Sequence, residues 1–208
     1  MEEKVLSIIE KLKERYPQSV CALHYEKDYE LMIAVRLSAQ CTDARVNLVT
    51  PALFAAYPTL EAMANAPISH VEELVHSCGF YKHKARDIVL ACQMLLSDYG
   101  GKVPNTMEEL LKIPGVGRKT ANLLLGDLYG VPGSVVCDTH CIRICGRLGL
   151  SQGKEPEKVE RQLRVILPPE ESSDFCHRIV LFGRDICTAR SHKCGEFPLT
   201  IWCKEVNP

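Results

Sequence analysis

Ile113-Pro114-Gly115-Val116-Gly117-Arg118-Lys119-Thr120-Ala121 decides how this chain is read. A proline and two glycines turn the backbone sharply, and a helix-forming sequence begins directly behind them. Glycines at a helix start leave backbone N–H groups bare, which makes a ready anion site. Lys119 falls in the first turn of that helix, and Asp138 follows 19 residues later. A lysine beside a bound anion is a charge contact; with a carboxylate nearby it is also a nucleophile.

Working outward, Thr106-Met107-Glu108-Glu109 reads as a capping box that opens a short helix to about Lys112. The unit over 106–129 is therefore helix, hairpin, helix. Such a hairpin aims several amides outward at the positive end of a helix dipole. It can hold one phosphate of a DNA strand without reading sequence. Lys112, Arg118 and Lys119 add local positive charge.

Helical periodicity dominates the rest and strand alternation is nearly absent. Val5, Leu6, Ile8, Ile9 and Leu12 form one stripe over 2–16, and Leu31, Ile33, Ala34, Val35 and Leu37 mark a more buried helix over 29–38. Thr42 or Asp43 caps a helix over 42–56. Short helices fit 59–65 and 68–76, and a longer one fits 83–98, closed by Gly100-Gly101. Further helices fit 117–129, 138–148, 156–166 and 172–187. The fold class is all-α. The clearest break, Gly130-Val131-Pro132-Gly133, predicts two lobes with a cleft between them. The domains expected are a six-helix domain over 22–132 and a second one joining 1–21 to 133–208.

The chain has 208 residues, 46% hydrophobic and 25% charged, with a formal net charge of −1. A nucleic-acid role must then rest on a local basic face rather than on global charge. Met1-Glu2-Glu3-Lys4 has neither the basic start nor the apolar stretch of a signal peptide, and no run approaches roughly 18 apolar residues. The expectation is a cytoplasmic, nucleoid-associated monomer that does not enter a membrane. Eleven cysteines make an odd, high count that points to metal ligation or buried thiols rather than disulfides. Cys137, Cys141 and Cys145 recur every four residues and read as small apolar groups on one helix face. Cys21, Cys41, Cys78, Cys92 and Cys176 suggest nothing further.

A lysine nucleophile must give up its proton near neutral pH, from an ordinary pKa of about 10.4. A helix dipole supplies only about 0.3–1 kcal/mol at an exposed site, less than one pKa unit. Desolvation and neighbouring cations such as Arg118 would have to supply the rest. Asp138, in Val-Val-Cys-Asp-Thr-His, reads as a helix N-cap. A capped carboxylate is rigid, so it can also take a proton or stabilise a developing cationic sugar.

The run Leu-Lys-Ile-Pro-Gly-Val-Gly-Arg-Lys-Thr-Ala-Asn, followed by Asp-Thr-His, resembles the endonuclease III family of helix-hairpin-helix DNA glycosylases. The resemblance covers nearly the whole chain. It implies that Lys119 attacks the sugar C1′ of a damaged nucleoside, expels the base and forms an imine. β-Elimination then cuts the strand, and Asp138 is the catalytic acid. The implied partner is double-stranded DNA with oxidised pyrimidines or abasic sites. Gly115, Val116, Gly117 and Arg118 would hold the strand. A flipped base leaves a hole in the stack. Leu-Ser-Ala-Gln-Cys-Thr-Asp resembles the family segment whose glutamine fills that hole, which assigns Gln40. Phe80 matches a second wedge position, and core packing is its alternative. Other readings kept open are a hairpin module that only binds DNA and the adenine-glycosylase branch. That branch generally lacks the hairpin lysine and carries a further C-terminal domain.

Toward the end stand Cys187-x6-Cys194-x8-Cys203. The family holds a [4Fe–4S] cluster with four cysteines, and Phe197 stands at the third position. The resemblance implies Cys187, Cys194 and Cys203 as ligands of a cubane that is one thiolate short. A three-iron cluster, a zinc ion completed by His192, or a loop in which Phe197 fills the space remain alternatives. The loop would carry Arg190 and Lys193 toward phosphate. Arg178 and Arg184 would extend a basic stripe.

Overall fold

A computed structural model of the chain describes residues 1–190 and 197–203. Eleven α-helices, three short 3₁₀ segments and no strand occur among the described residues. In chain order the α-helices are α1 (Glu2–Arg15), α2 (Asp28–Ser38), α3 (Asp43–Ala56), α4 (Leu60–Ala64), α5 (Ile68–Val75) and α6 (Tyr81–Tyr99). Then come α7 (Met107–Leu110), α8 (Arg118–Tyr129), α9 (Thr139–Arg147), α10 (Pro156–Ile166) and α11 (Ser172–Asp185). The chain divides into two compact units, one of Cys21–Leu128 and one of Met1–Val20 with Tyr129 onward.

The unit over Cys21–Leu128 holds the helical segments α2–α8, of which α4 and α7 are single turns. Helix α2 is buried over Tyr29–Val35 and at Leu37, so it forms the middle of this core. Helix α6 packs against α2, α4 and α5 through Ala85, Ile88, Val89, Cys92 and Leu95. It begins at Tyr81, two residues earlier than periodicity suggested, and ends at Gly100 in the left-handed conformation that glycine favours. Thr42 and Thr59 cap α3 and α4 by accepting from Arg45 N and Ala62 N, at 3.3 and 3.1 Å. The capping box at α7 is only half made. Thr106 Oγ1 accepts from Glu109 N at 3.3 Å, but the Glu109 carboxylate turns to Tyr99 and Lys112 instead, at 2.8 and 2.6 Å.

In the other unit, α1 buries Val5, Ile8, Ile9 and Leu12 against α11, which contributes Phe175, Ile179 and Phe182. Lys13 reaches Glu171 at 2.6 Å. The Gly130–Gly133 turn belongs here, since Gly133 N donates to the Pro169 carbonyl at 2.8 Å. Arg178 corrects the expected basic stripe. It is 5% exposed, donates Nε to the Tyr16 carbonyl at 3.0 Å and pairs with Asp174, so it is internal framework. Cys137, Cys141 and Cys145 are buried as expected, and Cys176 joins them. Hydrogen bonding to Cys137, Cys145 and Cys176, together with burial, pushes the Cys141 thiol well above its ordinary pKa. Such thiols pack rather than react.

Candidate active site and nucleic-acid interface

The hairpin turns at Gly115, whose φ is +77°. A Cβ there would lie 2.7 Å from Arg36 Cδ and Nε and 3.0 Å from Asp87 Cβ. Arg36, on α2, and Asp87, on α6, form an ion pair at this point: Arg36 Nη2 and Nε reach Asp87 Oδ2 at 2.6 and 2.8 Å. The hairpin thus rests its bare glycine on a salt bridge between the two core helices. Val116 buries its side chain and donates its amide to the Ile113 carbonyl at 3.1 Å. The donors a helix start offers are the amides of its first turn, here from Gly117 onward, and Val116 adds none. Gly117 has no atom within 4 Å of a built Cβ, so its face is open.

The two glycines should respond differently to a methyl group. Gly115→Ala meets both a left-handed backbone and the Arg36–Asp87 pair, so stability should fall by about 2–3 kcal/mol. Gly117→Ala should fold as the parent does and lose affinity for duplex DNA, because the methyl stands where a phosphate would approach. Denaturant midpoints and fluorescence anisotropy read the two effects. A Gly115→Ala protein as stable as the parent would refute the packing argument.

Lys119 is exposed, in the first turn of α8. Arg118, the preceding residue, is half-buried. Lys112 lies 2.6 Å from Glu109 and 4.0 Å from Glu108, so acids already answer its charge. Lys119 thus places an exposed ammonium one residue beyond Arg118 at the start of α8.

Among the described residues, Gln40 and Phe80 are the non-glycine residues with positive φ, at +55° and +47°. Each such conformation costs on the order of 1–3 kcal/mol. Gln40 occupies a position with a strong preference for another residue. Ala39 has φ −59° and ψ 112°, and Cys41 N donates to the Ser38 carbonyl at 3.0 Å. That is a type II turn with glutamine where glycine is normally required. Phe80, preceded by Gly79 at φ +68°, is left-handed at the start of α6 and is 65% exposed. Core packing, the alternative reading of Phe80, is excluded by that exposure. Gln40 is exposed as well.

Sequence reasoning missed Lys84. It is 1% exposed, and its Nζ donates to the Leu37 and Cys78 carbonyls, each at 2.8 Å. A signal was present: Lys84 falls in helical register with Ile88, Ala91 and Leu95 on the buried stripe of α6.

Asp138 caps α9 in the other unit. Its φ is −95° and its Oδ1 accepts from Cys141 N at 2.7 Å. The preceding Ser134–Cys137 run is buried, and Val136 N donates to Cys176 Sγ at 3.3 Å. The carboxylate therefore stands on a fixed base and is itself half-buried.

Of the C-terminal residues, His192, Lys193 and Cys194 lie outside the described residues. Cys187 and Cys203 are buried and line one void of about 20 Å³ with Ile144, Phe182, Phe197 and Leu199. The Phe197 ring packs 5.1 Å from the Phe182 ring, centroid to centroid. Arg147 Nη1 donates to Cys187 Sγ at 3.1 Å and to the Thr188 carbonyl at 3.0 Å, and Arg143 Nη2 donates to the Cys187 carbonyl at 2.8 Å. Among the described residues this lining offers two thiols, Cys187 and Cys203, and Phe197 stands where the family's four-thiolate cubane takes a further one. Among the described residues no group of three metal-ligating side chains converges. Phe197→Cys, which supplies the missing thiol, should raise the iron and sulfide bound by anaerobically purified protein several-fold. Equal content in both proteins would show that residue 197 does not decide the matter. Arg190 is exposed at the last described position before this gap.

An all-helical chain with a glycine hairpin, a lysine in the next turn and two strained, displayed side chains defines a helix-hairpin-helix protein built to engage DNA. Residues 33–169 match the family described as HhH-GPD superfamily base excision DNA repair protein, and the chain belongs to that superfamily. It is 43% identical to endonuclease III of Synechocystis sp., over 97% of this chain and 92% of that one. It is 41% identical to endonuclease III of Bacillus subtilis, over 95% and 90%, and 37% identical to that of Escherichia coli, over 97% and 95%. A trapped endonuclease III–DNA covalent intermediate superposes with a TM-score of 0.93 at 40% identity, covering 100% of this chain and 97% of the other. A thermostable thymine-DNA glycosylase, 20% identical with a TM-score of 0.85, shares the fold. Within the superfamily this is an enzyme of endonuclease III type, a base excision repair DNA glycosylase and AP lyase.

Proposed function

We propose that the protein removes oxidised or ring-saturated pyrimidines from double-stranded DNA, with Lys119 as nucleophile and Asp138 as the assisting carboxylate. The amine attacks C1′, the glycosidic bond breaks, and the base leaves with the electron pair and a proton. Asp138 takes the proton the amine gives up and offsets positive charge on the sugar. The nitrogen lone pair then opens the sugar ring: C1′–O4′ breaks, O4′ takes up a proton, and the resulting protonated imine acidifies the C2′ hydrogen. Loss of that proton expels the 3′ phosphate, and water then releases the lysine. Because Lys119 is exposed in the free protein, the drying that an amine nucleophile needs falls to the bound DNA.

The observation that carries this reading is the pair of left-handed residues. Gln40 and Phe80 keep a costly conformation while their side chains make an exposed display, which is how strain is used where a site must reach into a partner. As the inserted side chains they fill the hole left by the extruded nucleotide. The hairpin amides, Arg118 and Arg190 hold phosphates. The protein acts as a monomer on chromosomal DNA in the cytoplasm, and a relative's capture in covalent linkage to DNA supports the covalent route. Cys187, Cys194 and Cys203 are the thiols that would hold iron in the family's manner. No chemical step depends on them. Borohydride added to the protein on an abasic-site duplex should leave a covalent protein–DNA adduct; folded protein that yields none overturns the lysine mechanism.

A further inference from the structure

We infer that Lys84 is a positioning residue for strand insertion: its buried ammonium fastens together the two turns that present Gln40 and Phe80. The inference rests on the reading of those two side chains as the inserted ones. Lys84 Nζ meets the Leu37 and Cys78 carbonyls at 2.8 Å each. Leu37 stands three residues before Gln40, and Cys78 two before Phe80. Both carbonyls sit at helix ends, Leu37 in the last turn of α2 and Cys78 at the end of the 3₁₀ turn His76–Cys78. Terminal carbonyls lack intrahelical partners, and the dipole there favours a cation.

Three of the four carbonyls in the last turn of α2 have an identified partner beyond the helix or at its end. Val35 accepts from Ser38 Oγ at 2.9 Å, Ser38 accepts from Cys41 N at 3.0 Å, and Leu37 accepts from Lys84. The first two bonds are local to the turn. Only the third joins it to another segment. On that second segment Lys84 holds twice: its side chain takes Cys78, and its main-chain N donates to the Phe80 carbonyl at 3.1 Å. Strained residues persist only where their surroundings over-determine them. A flexible side chain would not serve, but an ammonium with two fixed acceptors and a stem enclosed in the core has little freedom. Burial pushes the Lys84 ammonium below its ordinary pKa, so this cation is held against its solvation preference.

A lysine that only stabilised α6 would lower folded protein without changing how DNA is opened. The test compares single-turnover release of a ring-saturated pyrimidine from two substrates. In one the lesion is paired within a duplex; in the other it lies in a short unpaired bubble, already unstacked. Lys84→Met should slow the paired reaction by roughly 10- to 100-fold and the bubble reaction little. Any loss of folded protein lowers both rates equally and cancels in their ratio. Gln40→Ala and Phe80→Ala should shift the ratio in the same direction, and Lys84→Met added to both should shift it little further. Equal slowing on the two substrates, an unchanged ratio, or no reaction on either overturns the role of Lys84. If Gln40→Ala and Phe80→Ala leave the ratio at its parent value, the insertion reading itself fails. If they lower it and Lys84→Met does not, only the positioning role is lost.

Discussion

Lys119→Gln should abolish the borohydride-trapped adduct and slow cleavage at an abasic site by roughly 10³-fold or more, since glutamine has no amine with which to form the imine. The fold should be untouched, because Lys119 is exposed at the first turn of α8. Affinity for duplex DNA should fall by less than about tenfold at moderate salt, the loss expected from one cation among several phosphate contacts. Lys119→Arg sharpens the test. Arginine keeps the positive charge and contacts phosphate well, yet it stays protonated and makes no imine. A lysine that merely clamped phosphate would tolerate arginine. A nucleophile would not. Gel analysis of trapped adducts, strand cleavage and anisotropy on the three proteins separates the readings: cleavage that survives in Lys119→Arg would end the nucleophile assignment.

The parts of this site that were legible in the sequence are those with local signals. Gly115 is legible because a left-handed turn demands glycine, and Asp138 because an aspartate before a helical run is a cap. Helix positions followed from the 3.6-residue period, which needs no knowledge of partners. What escaped depends on distant contacts. Glu109 was read as completing a capping box, but Tyr99, ten residues away, competes for its carboxylate. Arg178 looked like a member of a solvated stripe until Tyr16, 162 residues away, proved to be its acceptor. Lys84 and Leu37 are 47 residues apart. The left-handed backbone of Gln40 and Phe80 has no sequence signal at all, because neither residue type favours it. It is visible only as an exception, and the exceptions fall on the two residues nominated from the resemblance as inserted side chains. Local rules break where the site requires it.

Asp138→Asn should separate two duties that one carboxylate performs. As a cap, Asp138 accepts from Cys141 N at 2.7 Å, and asparagine is an equally good N-cap residue. The cap bond survives the exchange, and the lost helix-dipole interaction of the negative charge costs at most about 1 kcal/mol. The melting temperature should therefore move little. The chemistry should not survive so well. An amide neither takes the proton from the attacking amine nor offsets charge on the sugar, so base release should slow by roughly 10²- to 10⁴-fold. Cleavage of a preformed abasic site should slow with it, because imine formation needs the same proton transfer. Asp138→Ala adds the loss of the cap, about 0.5–2 kcal/mol, to the same chemical defect. The three proteins thus make a graded series in stability but a two-level series in rate. Calorimetry and single-turnover kinetics measure the two scales independently. Should Asp138→Asn retain the parent's rate while Asp138→Ala loses stability, the residue would be a cap alone, and the group that assists Lys119 would have to be sought elsewhere.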